Sequence, residues 1–180
     1  MNRVRFGIIG VGNMGSAHVE FVKKIGIAEL TAVCDVKPAA LELIAPRLPA
    51  DCRTFDDAER FFREAPVDAV IIATPHYSHV DLAIRAMEAG KHLIVEKPIA
   101  VHKAEAERLL RAAKQYPAPV KSAMFNLRTV SVHRKLKQLI DAGEFGAIRR
   151  ISWIITDWFR SQHYYDSGDW RATWRGEGGG

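Results

Sequence analysis

Through the first two-thirds of the chain, short and nearly continuous apolar runs alternate with stretches of helical spacing. Val4 to Ile9 is hydrophobic almost throughout, as a strand buried on both faces must be. From Met14 to Ile25, the residues Ala17, Phe21, Val22 and Ile25 recur along one side of a helix. Leu30 to Cys34 predicts a second strand, and a helix opens at Pro38, whose fixed φ suits a first turn. Arg53 to Phe55 predicts a short strand, and the small helix after it takes Asp56 or Asp57 as its cap. Val67 to Ala73, His92 to Val95 and Val120 to Met124 complete the set of strands. Before His92 lies a helix with a capping-box-like start at Ser78 and Asp81, a buried face of Val80, Ala83, Ile84 and Met87, and a closing Gly90. Another helix, Lys103 to Tyr116, turns Ala106, Leu109, Leu110 and Ala113 inward. This alternation predicts an α/β domain with a parallel sheet covered by helices.

The pattern changes near residue 125. A helix from about Ser131 to Ala142 is expected to bury Val132, Leu136, Leu139 and Ile140, and Gly143 and Gly146 bracket a turn. Ile151, Trp153 and Ile155 alternate with other residues, which predicts a half-exposed strand of a second sheet. Trp158 to Gly180 is aromatic, rich in Arg and without a clear period. The expected organisation is one domain over residues 1–125 and the start of an incomplete α+β domain over 126–180.

Composition narrows the class of protein. The chain is 48% hydrophobic and 26% charged, ordinary for a globular protein with a real core. Its net charge of +5 is spread over single basic residues such as Arg47, Arg53, Arg60, Arg63 and Arg85, with no aromatic-studded basic stripe, so a nucleic-acid partner is not expected. Cys34 and Cys52 lack CxxC spacing and make no disulfide framework; a reducing, cytoplasmic setting is the expectation. Glycines at 7, 10, 12 and 15 break the apolar N-terminus too early for a signal sequence, and no run approaches the length of a membrane span.

The chemistry begins at Gly10-Val11-Gly12-Asn13-Met14-Gly15. This GxGxxG follows a buried strand and opens a helix, the context that makes it a dinucleotide fingerprint. Gly10 permits the tight turn, Gly12 lets the backbone approach a pyrophosphate, and Gly15 allows close helix packing. The helix start at Asn13, Met14 and Gly15 offers free N–H groups and a positive dipole end to the phosphates. The fold class that follows is a doubly wound parallel Rossmann sheet. Asp35 ends the second strand 25 residues after Gly10, where an acid accepts hydrogen bonds from an adenosine ribose. A carboxylate there repels a 2′-phosphate and favours NAD, while the nearby Lys37 leaves NADP open. His76 and His79 could be taken for a metal pair, but no carboxylate or Cys stands at a ligand-like spacing, so no metal is expected.

Ala73-Thr74-Pro75 with His79, then Gly90-Lys91-His92, then Glu96-Lys97-Pro98 follow the glycine motif in an order and spacing that resemble the Gfo/Idh/MocA family of sugar and polyol oxidoreductases. The resemblance extends to Arg128, Trp170-Arg171 and the terminal glycine run. It implies an N-terminal Rossmann domain and a C-terminal α/β domain whose open sheet often supports homo-oligomers. It also implies that Thr74, Pro75 and His79 contact the dinucleotide, and that Trp170 and Arg171 reach toward it. Lys97 would lie between nicotinamide and substrate, hydrogen-bonding the reacting hydroxyl as hydride leaves carbon, with Glu96 orienting the lysine or the nicotinamide ribose. Pro98 would fix Lys97, and a cis Lys97–Pro98 bond suits such a turn.

In the family, the glycine run leads into a helix bearing a His that acts as general acid/base. No such segment occurs within these 180 residues, so the chain is expected to be a fragment that binds a dinucleotide without full turnover. The expected activity of the whole protein is NAD(P)-dependent oxidation of a secondary alcohol on a sugar, inositol or related polyol. Two other classes stay open: a non-catalytic dinucleotide-binding module and a methyltransferase with a similar glycine loop.

Overall fold

The centre of the sheet forms where β-branched and aliphatic residues leave little polar surface to expose. In the computed structural model, which describes residues 3–156, 159–166, 168 and 170–178, the strands are β1 (Val4–Ile9), β2 (Ala28–Cys34), β3 (Arg53–Phe55), β4 (Ala69–Ile72), β5 (His92–Val95) and β6 (Lys121–Ala123). All neighbours pair in parallel, in the order β3-β2-β1-β4-β5-β6. The order reverses between β1 and β4, and in open sheets of this kind ligands bind beyond the strand carboxyl ends at that switch point.

The chain divides into two compact units, residues 1–124 with 172–180, and residues 125–171. In the first, α1 (Asn13–Lys24), α2 (Pro38–Ile44), α3 (Ala58–Glu64), α4 (His79–Glu88) and α5 (Lys103–Gln115) connect the strands. Alternate strand residues separate two cores. Ile8, Val33 and Ile71 face Val19 and Val22 of α1 and Ile44 of α2. Ile9, Cys34, Val70, Ile72 and Val95 face Phe61 of α3, Ala83 and Met87 of α4 and Ala112 of α5. Helix α1 therefore lies on one face of the sheet and α4 on the other.

Gly7, inside β1, makes room for this packing. A Cβ there would stand 2.4 Å from Cζ of the fully buried Phe61, whose ring meets Phe55 edge-on at 5.5 Å. Asp57 caps α3, accepting from the Arg60 amide at 2.8 Å. Burial and the neighbouring Asp35 carboxylate push the Cys34 thiol up to about 12, so it behaves as a small apolar residue.

Three expectations need correction. The buried stripe of α1 is Gly15, His18, Val19 and Val22, while Phe21 and Ile25 are exposed. Ser78 makes no capping bond at the start of α4, because its hydroxyl is turned to Thr74 and the Pro75 carbonyl. Leu110 of α5 is exposed, and that helix packs through Ala112 with Leu109 and Ala113.

The second unit holds α6 (Ser131–Asp141) and the short α7 (Gln162–Asp166). Residues 151–156 are not a strand among the described residues: they find no ladder partner, and Ile151, Trp153, Ile154 and Ile155 are all exposed. Val132 and Leu136 of α6 are likewise exposed rather than buried. The short α8 (Trp174–Glu177) returns the chain to the first unit, where it packs on the turn at His76–Ser78. Trp158, Gly179 and Gly180, part of the aperiodic tail, lie outside the described residues. No described helix is long and apolar enough to cross a membrane.

One ion pair ties the amino ends of the two central strands. Arg5 donates from its guanidinium to both oxygens of Asp68, at 2.6 and 3.1 Å, and its backbone amide donates to the same carboxylate at 2.9 Å. These bonds, the side-chain one foremost, hold the Asp68 carboxyl down at about 2, against an ordinary 3.8. A lowered carboxylate pKa contributes stability above the unfolded value and loses it as pH falls through the folded one. The pair is half exposed, so the effect is screened and modest. Asp68→Asn should lower the melting temperature slightly at pH 7. The gap from the parent chain should close between pH 3.8 and about 2, as followed by thermal denaturation across that range.

Candidate functional site

The paired registers Cys34–Ile9–Ile72–Val95 align four strand ends, so Asp35, Gly10, Ala73 and Glu96 leave the sheet side by side. The turn after β1 is held on both flanks. The Gly10 amide donates to the Cys34 carbonyl at 2.7 Å, and the Ala73 amide donates to the Ile9 carbonyl at 2.8 Å. Gly10 has φ +87°, and a Cβ on it would stand 2.8 Å from the backbone of Ala73 and Thr74. At Gly15 a Cβ would lie 1.8 Å from the Gly10 carbonyl oxygen, so no other residue lets α1 start this close to β1.

Gly12 differs from both: nothing lies within 4 Å of the Cβ it lacks. It faces open space at the start of α1, together with exposed Asn13 and Met14. The first helical bond runs from the Ser16 amide to the Gly12 carbonyl at 2.8 Å, so the amides of Asn13, Met14 and Gly15 have no acceptor within the helix. No acidic residue occupies the first turn, and no side chain caps it. Open room over a glycine, three helix-start amides and a positive dipole end together make an arrangement that suits an anion.

Asp35 Oδ2 accepts from the Val11 amide at 2.9 Å and Oδ1 accepts from the Lys37 amide at 2.9 Å. The carboxylate is thus fixed beside the glycine turn, with lone pairs remaining on both oxygens. Thr74 and Pro75 line the neighbouring strand exit, and the Thr74 hydroxyl accepts from Ser78 at 2.7 Å.

Lys97 is exposed at the end of β5, and the Lys97–Pro98 peptide is cis. Its support is buried. Glu96, 6% exposed, accepts from the Lys97 amide at 3.1 Å through Oε2 and pairs through Oε1 with Nε2 of His18 at 2.8 Å. Burial alone would raise the Glu96 carboxyl, but the bonds from His18 and the Lys97 amide outweigh it and hold the carboxyl below its usual range. Sequence reasoning passed over His18. The available signal was a lone polar residue three positions after Gly15, within one turn of the fingerprint.

His79 is placed otherwise than expected for a residue in contact with a cofactor. It is fully buried, with Nδ1 2.7 Å from the Pro98 carbonyl oxygen and Nε2 2.8 Å from that of Thr74. Both ring nitrogens are engaged by the protein, which leaves neither for a ligand. Trp170 and Arg171 fall in the second unit. There the Arg171 guanidinium lies 4.8 Å from the Trp170 ring and 4.3 Å from that of Tyr164, whose hydroxyl accepts from it at 2.6 Å. Among the described residues, no three His, Cys, Asp or Glu side chains group as a metal site.

The sequence profile of a family described as an oxidoreductase family with an NAD-binding Rossmann fold matches residues 4–123. The chain belongs to the Gfo/Idh/MocA oxidoreductases. It is 36% identical over 152 residues to an inositol 2-dehydrogenase of Rhizobium meliloti, a match covering 83% of this chain and 44% of that protein. It superposes on a scyllo-inositol dehydrogenase from Lactobacillus casei, crystallised with NAD(H) and scyllo-inositol, with a TM-score of 0.76 and 31% identity; 81% of this chain and 43% of that one are covered. A WlbA dehydrogenase from Bordetella pertussis, in complex with NADH and UDP-GlcNAcA, matches 98% of this chain and 53% of its own, with a TM-score of 0.85 and 27% identity. The chain thus spans about half the length of these relatives or less. The doubly wound parallel fold and the NAD-binding character of the family agree with the reading from sequence.

The three glycines predict different consequences for substitution. Gly15→Ala should cost several kcal/mol, roughly 3 or more, because backbone must move to admit the Cβ. Gly12→Val should melt within ~2 °C of the parent chain but bind NADH at least ~10-fold more weakly, a loss of ~1.4 kcal/mol. Thermal melts and NADH titration by tryptophan fluorescence separate the two.

Proposed function

We propose that the whole protein is an NAD-dependent dehydrogenase acting on a secondary alcohol of a sugar, inositol or related polyol. In this reading the first unit, residues 1–124 with 172–180, is its dinucleotide-binding part. The observation that carries it is the alignment of four strand ends, which puts the open glycine turn, a fixed Asp35 and an exposed Lys97 along one edge of the sheet. Family membership and inositol dehydrogenases among the relatives support the choice of reaction and substrate class.

In this reading Gly10, Gly12 and Gly15, with the amides of Asn13 and Met14, hold the pyrophosphate, and Asp35 accepts from the adenosine ribose. Thr74 and Pro75 line the path to the nicotinamide, whose ring accepts the hydride when NAD is bound. The Lys97 ammonium would donate a hydrogen bond to the substrate oxygen and stabilise the negative charge that grows there as the hydroxyl proton passes to a general base in the rest of the whole protein. Glu96 fixes the lysine backbone. Trp170 and Arg171 add contacts to the cofactor, and residues 126–171 belong to the part that holds substrate. The unpaired thiols of Cys34 and Cys52 suit a reducing, cytoplasmic setting.

Fluorescence titration of the chain should show saturable NADH binding, tighter than NADPH binding. Asp35→Ser should shift that preference toward NADPH about tenfold by removing a charge that opposes a 2′-phosphate. In the whole protein, Lys97→Ala should lower kcat with an inositol or polyol substrate by ~10²–10³ while leaving NADH affinity within about threefold. Absence of NADH binding by the whole protein, or unchanged turnover in Lys97→Ala, overturns the assignment.

A further inference from the structure

Lys97 is exposed and flexible in itself, and it sits on a short turn after a four-residue strand. A catalytic ammonium must be held to within about an ångström, since a misplacement of that size costs up to ~10²-fold in rate. Two buried histidines converge on this turn from different helices. His18, 4% exposed on α1, meets Glu96, and Glu96 accepts from the Lys97 amide. His79, on α4, meets the carbonyl of Pro98 through one nitrogen and that of Thr74 through the other. Since α1 and α4 pack on opposite faces of the sheet, the Glu96-Lys97-Pro98 turn is gripped from both sides. We propose that His18 and His79 are positioning residues that hold Lys97 in register with the glycine turn and with Thr74. This rests on the dehydrogenase reading above and adds to it how the lysine is aimed.

The chemistry of each contact favours histidine over an apolar residue. His79 lies between two carbonyl oxygens, and a ring N–H can donate to one of them where an apolar side chain could not. A partly buried acceptor left unmet is costly. At His18, the ring supplies a partner to Oε1 of a buried carboxylate whose other oxygen accepts from the Lys97 amide. A core that needed only volume would use leucine or methionine at both positions. The side chain of Gln offers a donor at each site: one N–H toward Glu96 in place of His18, and two from a single amide nitrogen toward the two carbonyls in place of His79.

Two readouts test this, one of which does not need turnover. Amide hydrogen exchange in the chain, resolved at Lys97 and across residues 96–100, should accelerate at least ~10-fold in His18→Leu and in His79→Leu. Exchange at Val70 and Ile71 of β4 should stay within about threefold of the parent. In the whole protein, both variants should lose ~10-fold or more in kcat with inositol while NADH affinity stays within about threefold, and His18→Gln and His79→Gln should recover most of each loss. Unchanged exchange over 96–100 overturns the proposal whatever the activity. Exchange rising equally throughout the sheet, or kcat and NADH affinity falling together without rescue by Gln, also overturns it and makes the histidines general core residues. If Lys97→Ala is inactive while the histidine variants are unaffected, positioning fails and the dehydrogenase reading stands. If Lys97→Ala leaves turnover unchanged, the dehydrogenase reading fails and positioning of a catalytic lysine fails with it.

Discussion

How near α1 can begin to β1 governs the carboxyl edge of this sheet. The closeness is set by two glycines facing each other: the Cβ absent from Gly15 would stand 1.8 Å from the Gly10 carbonyl. With the helix seated that close, its first amides open directly beyond the strand ends, and His18, one turn further on, lies over the end of β5. A helix displaced by a methyl group would withdraw the amides and break the bond to Glu96 together. Anion seat and lysine turn are therefore not independent features that happen to share an edge. One steric allowance sets both.

The site divides sharply by burial. Gly12, Asn13, Met14, Pro75 and Lys97 are exposed, while Val11, Gly15, His18, His79 and Glu96 are not. The exposed group carries the atoms that a ligand can meet, and the buried group fixes their places through short polar contacts. Polar side chains are costly inside a protein unless fully partnered. Here they are partnered: His18 and Glu96 meet each other, and Glu96 and His79 reach backbone groups of the very turns that must not move, the Lys97 amide and the carbonyls of Pro98 and Thr74.

Much of this was legible in the sequence, for identifiable reasons. Continuous β-branched runs and a glycine fingerprint between strand and helix are local signals, so the strands, the helix order and the open glycine turn could be read directly. Asp57 as a cap and Gly90 at a helix end are equally local. Errors came where tertiary partners decide. Helical periodicity assigned Phe21 and Ile25 inward because they are apolar, and skipped His18 because it is polar, though only His18 has a buried carboxylate to meet. Ser78 had the composition of a cap, but Thr74 across the loop took its hydroxyl. His79 was expected to touch the dinucleotide because the family resemblance implies it, whereas its neighbours here supply two carbonyls. Beyond residue 125, amphipathic α6 formed as its period required, yet its apolar face and residues 151–156 lack the cover that alternation alone cannot supply.

The placement of Asp35 and Lys97 has a consequence for how such a protein can change. They leave the sheet on opposite sides of the switch point, Asp35 from β2 and Lys97 from β5, with β1 and β4 between them. Asp35 is held by the amides of Val11 and Lys37, and the Lys97 turn by Glu96, His18 and His79, with no shared partner. Sites that share no partner vary nearly additively. Altering the charge at Asp35 should therefore leave the Lys97 turn intact. Altering His18 acts on the Glu96-Lys97-Pro98 turn and leaves Asp35 its two amide donors. Position 35 is free to drift in this fold, while the geometry joining α1, Glu96 and Lys97 is not.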